Sequence, residues 1–115
     1  MKYRVEFADH AKSDLFDIYA WIASDSPMNA ARWVATIEAA IDGLDLNPAR
    51  CPVAPEDAEI EEVEIRQLIV GRYRVLFLMT EKVVFVLHIR HGSRQTATRD
   101  EIAGPLREGH SSGQR

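Results

Sequence analysis

The side chains best suited to chemistry in this 115-residue chain lie in its second half. Arg74, His91 and Arg94 join two permanent guanidinium charges to an imidazole that titrates near neutral pH. Such a set can grip phosphate oxygens and move a proton. Arg66, Arg72 and Arg90 add further cations on or beside the same stretches. Each candidate also has a plainer reading. Arg74 can pair with a carboxylate of the acid run Glu56, Asp57, Glu59, Glu61, Glu62 and Glu64, and His91-Gly92 can be a turn with the ring bonded to backbone. His88 and His91 stand three apart on an expected strand and face opposite ways, so no metal site is expected. Asp14 and Asp17 read most simply as solvated carboxylates on one helix face, and Cys51 before Pro52 as an unreactive thiol.

The elements that must carry these residues are legible from periodicity. Tyr3, Val5 and Phe7 alternate as one face of a short strand. Asp9 is placed to cap a helix over about 10–23, where Ala11, Leu15, Ile18 and Ile22 form an apolar stripe that Phe16 and Ala20 widen. Ser26-Pro27 starts a second helix, which carries Trp33, Val34, Ile37, Ile41 and Leu44 and stops before Pro48. Trp21 and Trp33, one on each helix, are expected to pack between them. Pro48, Pro52 and Pro55 make 47–58 a surface loop.

Three strands follow, Glu62–Val70, Arg72–Thr80 and Val83–Arg90, with turns at Gly71 and Glu81-Lys82. Strict alternation puts Tyr73, Val75, Phe77 and Met79 on one face of the middle strand. In the last strand it sets Phe85, Leu87 and Ile89 against Val84, Val86, His88 and Arg90. Strand, helix, helix and three-strand meander make an α+β fold, a mostly antiparallel sheet with a helical hairpin on one face. The other face then receives Arg74, Leu76, His88 and Arg90, too apolar to be wetted and too basic for core, and is the expected binding surface. A single domain is expected over 1–95, with 96–115 a polar, partly disordered tail.

Composition narrows the class. The chain is 46% hydrophobic and 28% charged, has one cysteine, and contains no apolar run long enough for a membrane span. A cytoplasmic globular protein without disulfide, membrane anchor or cofactor is expected. The net charge of −4 conceals an asymmetry. Residues 1–65 hold 14 acids and 5 bases, net −9, while 66–115 hold 9 bases and 4 acids, net +5. Overall acidity argues against broad nucleic-acid coating, and no sequence-specific nucleic-acid binding is expected. The asymmetry is also what two halves meeting across an interface would show.

The segment Ile65-Arg66-Gln67-Leu68-Ile69-Val70-Gly71-Arg72-Tyr73-Arg74-Val75-Leu76-Phe77, followed by Ile89-Arg90-His91-Gly92-Ser93-Arg94, resembles the RelE/ParE superfamily of type II toxins. The opening Tyr-x-Val-x-Phe strand and both helices fit the same pattern, over about residues 2–95, and the His-Gly-x-Arg ending resembles the ParE branch. The resemblance implies a plasmid-stabilisation-like toxin, silenced by a cognate antitoxin and inhibiting DNA gyrase by binding. The alternative it implies is a RelE-type, ribosome-dependent mRNA endoribonuclease, with Arg74, His91 and Arg94 as its catalytic candidates. Three departures weigh against the nuclease. Pro48–Glu64 offers only Arg50 against six acids, no tyrosine follows Tyr73, and the chain is acidic. A third alternative keeps antitoxin binding with toxicity lost. On the first reading Arg66, Arg72, Arg74, Leu76, His88, Arg90 and Arg94 form the binding surface, without catalysis.

Overall fold

A computed structural model describes residues 2–59, 63–94 and 96–113. Strand β1 (Arg4–Phe7) leads into helices α1 (Asp9–Asp25) and α2 (Pro27–Asp42). Three short 3-10 turns at Gly43–Asp45, Pro48–Arg50 and Pro55–Glu59 precede strands β2 (Ile65–Val70), β3 (Tyr73–Met79) and β4 (Val83–His91). Helix α3 (Arg99–Gly113) closes the chain. Strand order is β1-β4-β3-β2, with β1 parallel to β4 and the remaining pairs antiparallel. The expected strand from Glu62 begins at Ile65, and Glu62 itself lies outside the described residues. Among the described residues no helix is long and apolar enough to cross a membrane.

Local chemistry explains the joints. Ser26 closes α1 by donating its N–H to Ile22 and opens α2 by accepting the N–H of Asn29 on its hydroxyl at 3.2 Å. Asp9 is not the cap of α1. Ala8 holds that position without a side-chain bond, and Asp9 sits inside the first turn, where its charge favours the helix dipole. The β2–β3 loop is Gly71-Arg72, and Gly71 takes a positive φ of 57° that side chains with a Cβ resist. The β3–β4 loop is Glu81-Lys82 as expected. Without Asn-Gly there, the Thr80 hydroxyl accepts the Val83 N–H at 3.1 Å and holds the turn.

The sheet is buried on both faces. On one, Ala11 of α1, Ile37 and Ile41 of α2 and Leu44 of the turn after it pack onto Val75, Phe77, Val84, Val86 and Ile89. On the other, Ile65, Leu76, Phe85 and Leu87 pack with Ala8, Ala54, Ala97 and Ile102. Two expectations are corrected here. The alternation along β4 breaks at a bulge, where Leu76 pairs with His88 but Phe77 pairs with Val86. Leu87 is the extra residue, so Ile89 joins Val84 and Val86 on the helical face rather than opposing them.

The second correction concerns the supposed binding face, which is a second core. The 47–58 segment folds back along β2, pairing Val53 with Arg66, and α3 covers the rest. The segment read as a polar, partly disordered tail over 96–115 is helical over Arg99–Gly113, and Ala97 and Ile102 are fully buried. Only Ala97, Ile102, Ala103 and Leu106 are apolar there, too sparse a stripe to announce an amphipathic helix. If α3 is part of the fold, Ile102→Ala should cost about 2–5 kcal/mol. A loose tail would tolerate the change within about 0.5 kcal/mol, and the urea unfolding midpoint distinguishes the two.

Candidate binding groove at the end of the central strands

Most of the cations singled out by sequence are consumed inside the protein. Arg74 grips Glu56 with two nitrogens, Nη1 to Oε1 at 3.0 Å and Nη2 to Oε2 at 2.7 Å, and its Nη1 also reaches Gln67. Glu56 has no solvent exposure, and its Oε2 accepts the Ala97 N–H at 2.9 Å. Burial opposes its charge, but the Arg74 bonds and the Ala97 N–H outweigh that cost and hold the carboxyl below its usual range. The pairing of Arg74 with the acid run is the one its charge and spacing predict. It is not an exposed cation.

Arg90 is 4% exposed and donates to Glu101 Oε2 at 2.9 Å. The Thr98 N–H and that guanidinium bring Glu101 down to about 2. Arg66 donates to the Cys51 carbonyl and pairs with Glu64, both at 2.6 Å. Cys51 is buried, and burial pushes its thiol up, away from reactivity. His88 is held between Asp14 and the Glu101 carbonyl. Leu76 has no exposed surface, nor do Val84 and Val86, so no ligand can reach them in this fold. The expected common surface therefore does not form. Of the expected set only Arg72 and Arg94 are exposed, and His91 is half-buried at the end of β4.

Of these, His91 and Arg94 border a different site. The ring of His91 accepts both the Ser93 N–H at 3.0 Å and the Ser93 hydroxyl at 2.6 Å on Nδ1. It stands edge-on to Tyr73, whose ring packs in turn on Trp33. The turn reading of His91-Gly92 is what the geometry shows. The bulge carries Ile89 and His91 to the helical face, beside α1, and a groove of about 390 Å³ opens between them. Asp14, Asp17 and Trp21 line its helix side; Tyr73, His91 and Arg94 line its sheet side. Trp21 is 72% exposed rather than packed between helices, and Phe16 lies on the outer surface of α1 rather than in its buried stripe. Sequence reasoning missed this groove. The available signal was the spacing of Asp14, Asp17 and Trp21, one helical turn apart along α1.

Chemically the groove is bipolar. Acids stand on its helix wall, Arg94 on its strand wall, and two aromatic rings between. Carboxylates on one wall, facing an Arg94 guanidinium already 3.8 Å from Glu101 Oε2, suit a polyanion poorly, whereas a protein segment with an apolar anchor and mixed charges fits. Among the described residues no group of three or more His, Cys, Asp or Glu side chains is placed to hold a metal ion.

Removing Arg74 strips a fully buried carboxylate of its counter-charge, so Arg74→Ala should destabilise by about 3–5 kcal/mol. Arg94→Ala, at the surface, should stay within about 0.5 kcal/mol by chemical denaturation. Glu56 and Glu101 are both depressed in the folded state from the ordinary carboxyl value of 4.5. Their stabilisation is therefore complete above that value and is lost as pH falls through the folded ones. Melting temperature should drop steeply below about pH 4.5, and less steeply in Glu56→Gln.

Comparison with known proteins agrees with this architecture. Residues 5–96 match the family described as the ParE toxin of the type II toxin–antitoxin system parDE. A solved structure of the chromosomal ParDE toxin–antitoxin system from P. aeruginosa superposes with a TM-score of 0.63 at 19% identity, covering 78% of this chain and 96% of that one. The toxin–antitoxin complex RelBE2 from Mycobacterium tuberculosis aligns with a TM-score of 0.51 at 25% identity, covering 79% and 99%. No curated protein sequence matches significantly. The α+β order, the helical hairpin and the meander are those of RelE/ParE-like folds. With the family pattern spanning β1 through β4, this chain belongs to the ParE toxins of type II toxin–antitoxin systems.

Proposed function

We propose that this toxin acts in the cytoplasm by binding and inhibiting DNA gyrase, and that a cognate antitoxin neutralises it. The observation that carries the reading is the internal use of Arg74 and Arg90. Phosphodiester cleavage needs several cations aimed at one developing charge, but the catalytic candidate Arg74 is paired with Glu56, and its cross-strand partner Arg90 with Glu101. Arg90 and Arg94 both lie beside His91 in the groove, each drawn to Glu101, with Asp14 and Asp17 on the opposite wall. That arrangement suits a protein surface better than an RNA backbone. The structures of similar fold are of toxins in complex with their antitoxins, which supports an antitoxin as partner here.

The exposed aromatic residue offers the anchor for that partner. An interface built around a desolvated tryptophan commonly loses 2 kcal/mol or more on truncation, roughly thirtyfold in affinity. Trp21→Ala should weaken antitoxin binding by about that factor with melting temperature unchanged. Toxicity is tested by inducing expression and following supercoiling by purified gyrase beside bulk translation. Inhibited supercoiling with intact mRNA supports the proposal. New 5′ ends within ribosome-bound mRNA, found by primer extension, would replace it with the endoribonuclease reading and make His91 and Arg94 the residues to examine.

A further inference from the structure

His88 occupies a junction of three elements and has a role that neither the groove nor the toxin reading uses. From β4 its ring reaches Asp14 of α1 with Nδ1 at 2.8 Å and the Glu101 carbonyl of α3 with Nε2 at 2.7 Å. A carbonyl oxygen and a carboxylate are both acceptors, so both ring nitrogens must carry hydrogen to satisfy them. The same Asp14 oxygen also accepts the Ile89 N–H at 3.0 Å, which fixes it in place.

We propose that His88 is a proton-operated latch for the C-terminal helix: the doubly protonated ring fastens α3 to α1 and β4, and loss of a proton loosens α3 from the sheet. A neutral imidazole has one N–H. It would be retained toward Asp14, where the hydrogen bond is charge-assisted, leaving the Nε2 lone pair against the Glu101 carbonyl. The repulsion falls on α3 alone.

The charged groups around the ring are few. From α1 come Asp14 and His10, whose ring stands edge-on to His88 at 6.0 Å. From β4 comes Arg90, and from α3 comes Glu101, paired with that guanidinium. Helix α3 passes so close to His10 that a Cβ on Gly104 would lie 3.1 Å from its ring. The junction is therefore tight enough to register a lost bond. Burial works against the charged ring, but the bonds to Asp14 and Glu101 outweigh it together with the Arg90 repulsion, and the pKa of His88 is raised from 6.5. A raised value means that the latch is fully present below about pH 6.5 and is lost as pH rises through the folded value. Beneath α3 lie Leu76, Phe85 and Leu87, so its loosening governs access to the second core. None of this depends on gyrase being the target.

Hydrogen exchange of the free, full-length chain tests the latch. Between pH 6 and pH 8.5, after division by the intrinsic base-catalysed rates, opening of the Ile102, Ala103, Gly104 and Leu106 amides should rise on the order of tenfold while β3 amides stay unchanged. His88→Gln should abolish that pH dependence, and so should Asp14→Asn if the first variant folds poorly. His10→Asn should retain it. Equal α3 protection at both pH values in the parent chain, or an undiminished dependence in both latch variants, would overturn the proposal.

Discussion

A carboxylate without solvent contact survives only where charge and hydrogen bonds replace water, and Glu56 is such a group. Its partners come from two places far apart in sequence: the Arg74 guanidinium on β3 and the N–H of Ala97 just ahead of α3. One side chain thereby ties the 47–58 segment to the sheet and sets where the last helix begins. Removing either partner would leave charge stranded in a dry place, so the arrangement is all or none. It also explains why the most conspicuous cation of the meander is unavailable for chemistry.

The same logic accounts for the uneven charge of the chain. The acidic first half and basic second half meet through Glu56 and Arg74, Asp14 and His88, and Glu64 and Arg66. Much of the apparent basic surface is in this way neutralised by the acid-rich segments folded against it. What stays outward includes a small groove carrying both signs of charge.

Backbone geometry decides where that groove lies. The bulge in β4 turns Ile89 and His91 onto the helical face, beyond the point where β1 stops pairing at Val86. The strand edge left open is met by α1, whose Asp14 accepts the Ile89 N–H. Had strict alternation run on through Leu87 without the bulge, His91 would point into the face that α3 covers.

The sequence by itself determined the helical hairpin, the Ser26 hinge, the two tight turns of the meander and the family, because these rest on local periodicity, capping and an ordered motif. It also contained the pairing of Arg74 with the acid run and the backbone-bonded turn at His91, since both follow from charge and spacing nearby. Only the tertiary structure decided that β4 carries a bulge, that α3 exists as a packed helix, and that the second face of the sheet is core. Alternation cannot reveal a one-residue insertion, and an apolar stripe of four residues does not mark a helix. Trp21 faces solvent and Leu76 does not because burial is settled by what folds over a residue, here residues twenty or more positions away, and no local pattern records that.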